Sequence, residues 1–388
     1  MSKAILRRHQ DIRRMREAYT REGRQAEFVD YMHKLFASPS VDLKDFKLRP
    51  LFEALVDDGY EMVQYNFGPN DGGYRVLESQ SVNTGLFANI QGQYLYNAIL
   101  REYMMPELIG DRVCTTMDSV EVSERIPGVT AMGDQVEVVN EGDPYARAVT
   151  TERWVDTPDT IKRGMMVEVT KEAVFFDKTN RILAECARVG KYIAINRERR
   201  ILDVVLGIST VYKRNGQAAV ATYDSTNTTT SNPLVDWTSL DDADIKYAAI
   251  TDPDSGEPIV STPSDITVPP ALKNTAKRIR AATSVRENSN ASAGTRNQET
   301  LTPGNSLEHD VNIHCNQYVK ERTSSDSSWF YGNCSEAFVY MQNWPLTVEQ
   351  EGANGPESFE RDVVARYKAS ERGAAGVMER LYSMKCTG

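Results

Sequence analysis

The chain has 388 residues, 40% of them hydrophobic and 26% charged, with a formal net charge of −10. It is long enough to bury a sizeable core, and no run approaches the roughly 20 apolar residues that cross a bilayer. The overall acidity argues against a general polyanion binder, and five scattered cysteines without a CxxC pair argue for reduced, packed thiols, not a disulfide framework.

The N-terminal MSKAILRRHQDIRRMREAY lacks the apolar stretch of a secretory signal, so synthesis in a cytoplasm is expected. Residues 1–25 set eight basic side chains against three acidic ones, including Arg7, Arg8, Arg13 and Arg14. Such an arm suits phosphates or an acidic partner, and it equally suits a solvated helix face. The helical pattern runs to about Ser38 on a thin apolar stripe of Ile5, Ile12, Met15, Phe28, Met32 and Leu35, which calls for packing on something outside itself. A short helix at Leu48 to Asp57 and the turn GPNDGG then form an extended lead-in. From Asn83 to Leu108, Phe87, Ile90, Tyr94 and Ala98 fall near helical spacing, and Pro106 stops the helix. DRVCTTMDSVEVSERIPGV alternates like strands and closes on Pro127-Gly128.

Residues 129–169 read as a long hairpin: QVEVV and MMVEV are strand-like, and a polar, turn-rich reach holding Trp154, Lys162 and Arg163 lies between and beside them. A two-stranded ribbon with so few core-forming side chains is marginal in water, so a neighbouring subunit is the expected support. Ile182, Cys186, Val189, Ile193, Arg197 and Ile201 then step by threes and fours, which predicts one long amphipathic helix from Asp177, as N-cap, to Gly207, as stop.

Residues 208–334 read as mixed helix and strand with polar loops at STNTTTSN and SVRENSNASAGTRNQETLTPGNS. Helices are expected at Leu240 to Ile250 and after Pro269-Pro270, and a strand at VNIHCNQYV. The chain finishes on FERDVVARYKASERGAAGVMERLYSMKC, where period-two alternation on either side of a Gly-containing stretch predicts a hairpin turning through Ser370 to Gly376. Arg366, Lys368, Glu371 and Arg372 would stand at or beside that turn.

Chemistry is sparse. No phosphate-binding glycine loop, dinucleotide fingerprint or nucleophile elbow occurs. His309, His314 and Cys315 form the one metal-like cluster, but their spacing fits no common ligand pattern and strand alternation sends His314 and Cys315 to opposite faces. Asp241, Asp242 and Asp244 read as helix-start charge, and Arg197, Arg199 and Arg200, alternating with Glu198 and Asp203, as salt-bridge formers. No cofactor and no enzymatic activity are expected; a metal-dependent enzyme is the least favoured alternative.

The order of basic arm, detached hairpin, long helix, loop-rich mixed region and returning strands resembles the major capsid proteins of tailed bacteriophages and prophages, the Hong Kong-97-type shell fold. The phrases PELIGDRVCTTMDSVEVSERIPG, DTPDTIKRGMMVEVTKEAVFFD, NRERRILDVVLGI, VPPALKNTAKRI and the closing ESFERDVVARYKASERGAAGVMERLYSMKC carry the resemblance over about two-thirds of the chain.

The resemblance implies an α+β fold with a helical arm and lead-in (1–81), a first part of a peripheral domain (82–128), an extended loop over an adjacent subunit (129–169), a spine helix (170–208), an axial domain (209–345) and returning peripheral strands (346–388). It implies an icosahedral shell of pentamers and hexamers enclosing double-stranded DNA, with portal and scaffold proteins and a possible decoration protein as partners, no membrane, and assembly in a bacterial host cytoplasm into a virion capsid. Inter-subunit contacts are then expected at Trp154, Lys162, Arg163, Arg366, Lys368, Glu371 and Arg372, and a DNA-facing arm at Arg7, Arg8, Arg13 and Arg14. Some relatives crosslink through a lysine of the extended loop; Lys162 is the one lysine there, no partner signal accompanies it, and no crosslink is expected. An encapsulin-like compartment holding enzyme cargo is the alternative in the same class.

Overall fold

A computed structural model describes residues 9–38, 51, 54–55, 90, 94–95, 97–104, 108–128, 138–139, 153–170, 181–252, 256–281, 284–288, 299–303, 311–351 and 363–388. In chain order these hold α1 (His9–Arg21), α2 (Gln25–Ala37), α3 (Gly110–Val113), β1 (Thr115–Asp118), β2 (Arg125–Pro127), β3 (Trp154–Asp156), β4 (Ile161–Thr170) and α4 (Arg181–Val205). They continue with β5 (Lys213–Arg214), β6 (Thr228–Thr229), α5 (Trp237–Ala248), β7 (Asp265–Val268), α6 (Lys273–Arg280), β8 (Ser284–Asn288), β9 (Glu299–Pro303) and β10 (Asn312–Cys315). The last are α7 (Gln317–Thr323), β11 (Trp329–Gly332), α8 (Cys334–Ala337), β12 (Phe338–Glu351), β13 (Val363–Val377) and β14 (Ser383–Cys386).

The chain forms two compact units, one of Met1–Met105, Lys162–Ile195 and Leu346–Glu371, the other of Pro106–Ile161, Asn196–Pro345 and Arg372–Gly388. In the first unit, Ile12 of α1 and Phe28, Met32 and Phe36 of α2 join Leu51, Tyr94, Ile99, Cys186, Ile193 and Tyr367 in one apolar core. The thin stripe of the arm packs, as expected, on side chains outside the segment: Leu51, Tyr94 and Ile99 supply the apolar area that the arm lacks. The single helical segment read to Ser38 is also two helices. Gly23 sits at φ +70°, where its N–H bonds Thr20 O at 3.1 Å and the Arg24 N–H bonds Tyr19 O at 2.9 Å, the paired bonds of a Schellman stop.

The same device ends α4. Gly207 at φ +68° donates to Val204 O at 3.1 Å while Ile208 N donates to Asp203 O at 2.8 Å, so this glycine stops the long helix as expected. At 25 residues and about 1.5 Å per residue, α4 is about 38 Å long. Cys186, Val189, Ile193 and Ile201 are buried as their spacing predicts; the expected N-cap, Asp177, lies outside the described residues, as does most of 129–152 within the predicted hairpin of 129–169.

In the second unit a five-stranded sheet runs β10-β7-β11-β14-β6. Its middle is buried on both faces: Trp329, Phe330 and Tyr331 of β11 are at most 1% exposed. The α5 side chains Leu240, Ala243 and Tyr247 and the α6 side chains Ala276 and Ile279 share one core with Ile266, Val268, Trp329 and Met384 of that sheet. Asp236 caps α5 by accepting the Thr238 N–H at 3.0 Å. A three-stranded sheet β2-β3-β5 completes the unit's strand pairs of that region, with Ile126 opposite Val155.

Two stretches read as loops contain strands. STNTTTSN holds β6, which pairs in parallel with β14, because Asn227 turns its amide inward to the carbonyls of Thr222, Arg380 and Ser383 at 2.9–3.0 Å. The polar stretch after Ser284 holds β8 and β9, paired antiparallel from Ser284↔Pro303 to Asn288↔Glu299. Val285, Thr300 and Thr302 are β-branched and suit strand conformation. Where strands were expected from Asp111, the chain first makes α3 and then β1.

The C-terminal hairpin is overturned. β13 runs unbroken for 15 residues from Val363 to Val377, and the next strand, β14, belongs to a different sheet, between β11 and β6. Within KASERGAAGV neither glycine adopts a positive φ. They provide close approach instead: a Cβ on Gly373 would stand 2.6 Å from both Met341 O and Tyr340 Oη, and one on Gly376 would stand 3.0 Å from Pro158 Cδ. Small residues at strand positions were mistaken for a turn.

Candidate functional site

Strand β13 and helix α4 carry nine of the charged side chains that the sequence singles out. Between β13 and its neighbour β4 the backbones are close: a Cβ on Gly164 would meet Ala369 O at 2.5 Å. Arg366 pairs across this approach with Glu168 at 3.2 Å. Lys368 reaches the opposite neighbour, β12, and its hydrogen bond to Glu349 holds that exposed carboxyl below the usual carboxylate range. Glu371 is 3% exposed and accepts a hydrogen bond from Tyr103 Oη at 2.8 Å. Arg372 donates from Nε to Thr160 Oγ1 at 3.2 Å and lays its guanidinium 5.5 Å from the Trp344 ring centroid.

These four residues thus stand on an unbroken strand with partners in their own chain, not on a turn. Trp154 lies half-buried on β3, with Arg125 stacked 5.2 Å from its ring centroid and its backbone N–H bonded to Asn215 Oδ1 at 3.1 Å. Lys162 is exposed and Arg163 half-buried on β4. Exposed beside Lys162 on the same strand are Ile161, Met165 and Met166. Of the arm, Arg13 and Arg14 are exposed on α1, Arg13 pairing with Glu17 at 3.2 Å; Arg7 and Arg8 lie outside the described residues.

On α4 the alternating charges make salt bridges within the subunit. Arg197 pairs with Asp111 at 2.6 Å, Arg199 with Glu321 at 2.9 Å, and Asp203 with Arg322, whose second nitrogen is 2.8 Å away. Arg197 also stacks 4.4 Å from the Tyr340 ring centroid.

Glu198 is the residue that charge counting undervalued. It is 2% exposed and accepts three hydrogen bonds: from Ile109 N at 3.0 Å, Gly110 N at 2.7 Å and Asn316 Nδ2 at 2.9 Å. It satisfies the first N–H groups of α3 and, through Asn316, steadies the residue whose Oδ1 caps α7. A Cβ on Gly110 would lie 2.7 Å from Glu198 Oε2, which explains the glycine. Burial pushes the Glu198 pKa up against the lowering effect of these bonds. A sequence signal existed in the buried helix phase of position 198, midway between Ile195 and Ile201.

His314 pairs with a carboxylate on the neighbouring strand. Its Nε2 lies 2.8 Å from Asp265 Oδ1 across the parallel pair β7–β10, both side chains being buried. Among the described residues no group of three His, Cys, Asp or Glu side chains could hold a metal ion; His309 lies outside them. Burial works to raise the Asp265 pKa, but the bonds from His314 and Ser264 outweigh it and hold the carboxyl below its ordinary value. A lowered folded-state pKa contributes stability above the unfolded value, and that stability is lost as pH falls through the folded value. Asp265→Asn is therefore expected to flatten the acid limb of a stability-versus-pH curve below about pH 4, measured by urea unfolding; an unchanged acid limb would refute the assignment.

The described residues therefore display charge pairs made within the chain, gathered on β13 and α4. The sequence model of the family described as Phage capsid protein matches residues 154–382. The chain belongs to this phage capsid protein family, and it is a shell-forming capsid protein with the mixed helix-and-sheet fold that the resemblance implied. No curated protein matches it in sequence. Among solved structures it is similar to that titled Mycobacterium phage Bobi, at 12% identity and TM-score 0.47 over 72% of this chain and 90% of the other. It is also similar to the capsid of an empty GTA particle, at 11% identity and TM-score 0.44 over 73% and 90%. The holo-SrpI encapsulin complex from Synechococcus elongatus PCC 7942 matches at 13% identity and TM-score 0.41 over 73% and 88%. Among the described residues no helix is long and apolar enough to cross a membrane.

Proposed function

We propose that this capsid protein assembles, as pentamers and hexamers of itself, into an icosahedral shell around double-stranded DNA, inside a bacterial cytoplasm and with portal and scaffold proteins. The family match over more than half of the chain carries the reading. Residues 129–169 act as the extended loop on an adjacent subunit, 209–345 as the axial domain, and Trp154, Lys162 and Arg163 as contacts to the neighbour. The exposure of Ile161, Lys162, Met165 and Met166 on β4 supports that role, since an exposed strand carrying apolar side chains gains stability when covered. Arg13 and Arg14, exposed on α1, support an arm directed at the packaged phosphates. The protein itself performs no catalysis.

Negative-stain electron microscopy of the purified protein is expected to show closed shells or rings, and a strictly monomeric globule at high concentration would overturn the proposal. Particles recovered from the host are expected to protect duplex DNA from nuclease. A bound enzyme in place of DNA would favour the compartment reading.

A further inference from the structure

Two helices of the second unit present opposite charge from one core. On α5, Asp241, Asp242 and Ile245 are exposed, and the three- and four-residue spacing sets them on one face; Ile245 is 63% exposed. Val235, just before the helix, is also exposed, and Lys246 is the basic residue of the last turn. On α6, Lys273, Lys277, Arg278 and Arg280 are exposed and the helix KNTAKRIR holds no acid. Among the described residues Asp241, Asp242, Lys273, Lys277 and Arg278 form no ion pair within the chain, in contrast to the paired charges of α4 and β13.

We infer that these faces meet between copies: the acidic, apolar-tipped face of α5 docks on the basic face of α6 of the next subunit. The inference rests on the self-assembly reading above and names its contact residues. Both helices bury their other faces in the same core, α5 through Leu240, Ala243 and Tyr247 and α6 through Ala276 and Ile279, so the spacing of the two charged surfaces is rigid. Two unlike, complementary patches at a fixed spacing on one subunit generate a head-to-tail contact, which closes into a ring when the rotation allows. Packaged DNA is a poorer occupant, because phosphates would account for α6 and leave the exposed Asp241, Asp242 and Ile245 without a role. Exposed Ile245 and Val235 amid charge have the make-up of a small interface centre with a polar rim.

The test is a charge exchange in the full chain. Lys277→Glu with Arg278→Glu, and separately Asp241→Lys with Asp242→Lys, are each expected to lower the yield of rings and shells about tenfold or more, with the unfolding midpoint of the subunit unchanged. The chain carrying all four substitutions restores opposite charge across the contact and is expected to recover assembly to within about threefold of the parent, because the pairing energy depends on opposite sign and not on which helix carries it. A fourfold variant that assembles no better than either double variant overturns the inference, and so do double variants that assemble like the parent. So does loss of binding to a duplex DNA fragment in the α6 variant with normal assembly of the α5 variant, which would assign α6 to nucleic acid. In each of these cases the parent still forms shells; a parent that forms none refutes the capsid assembly reading instead.

Discussion

Glu198→Ala is expected to lower the stability of the subunit by about 3–5 kcal/mol, a large fraction of the roughly 5–15 kcal/mol of an ordinary domain. The substitution leaves the N–H groups of Ile109 and Gly110 and the amide of Asn316 without their acceptor, and a buried unpaired donor costs about 1–3 kcal/mol. Glu198→Gln keeps one carbonyl acceptor but turns an N–H toward another N–H, so an intermediate loss is expected. The pH dependence separates these effects. Burial raises the folded-state pKa of Glu198, so its contribution is fully present below the unfolded carboxylate value and is lost as pH rises through the folded one. The Gln variant lacks that descending limb. Urea unfolding across pH reads both quantities; a Glu198→Ala variant as stable as the parent would show that the three hydrogen bonds contribute nothing net.

Gly190→Ala sets two effects of opposite sign against each other. Gly190 lies inside α4, where Ala is favoured over Gly by about 1 kcal/mol on helix propensity. Its Cβ, however, would stand 2.1 Å from Ile99 O and 2.9 Å from Ile99 C. Those are backbone atoms of residues 97–103, themselves helical, and they cannot yield as a side-chain tip does. Overpacking of this kind costs about 1–3 kcal/mol and occasionally more; with backbone as the obstacle the upper end applies, and a net loss of about 2–3 kcal/mol is expected. A thermal midpoint equal to or above that of the parent would mean that the helices separate at little cost.

Periodicity revealed the long helix. Cys186, Val189, Ile193 and Ile201 are buried as their spacing required, and Gly207 stops the helix. Helices α5 and α6 were legible from the apolar steps Leu240, Ala243, Tyr247 and from Pro269-Pro270. Family phrases gave the class of protein, since their order is shared by chains with the same shell architecture. The failures have physical causes. Ser370 to Gly376 looked like a turn because small residues serve both tight turns and close strand approach, and the sequence contains no sign of Met341 O or Tyr340 Oη pressing on Gly373. Asn227 and its threonines looked like a loop because their partners, the carbonyls of Arg380 and Ser383, come from more than 150 residues away.

Local patterns thus determined the long helix, its stop and the scarcity of catalytic motifs, because helix phase, stop glycines and motif spacing are properties of neighbouring residues, whereas the class came from the resemblance of whole phrases. The roles of individual charges were decided by tertiary structure alone. Arg366, Lys368, Glu371 and Arg372 read as charges at or beside a turn until an unbroken β13 gave them the partners Glu168, Glu349, Tyr103 and Thr160. Glu198 read as one more helix charge until Ile109, Gly110 and Asn316 converged on it. A charge acquires its energy from burial and from partners distant in the chain, and neither can be read from its neighbours in sequence.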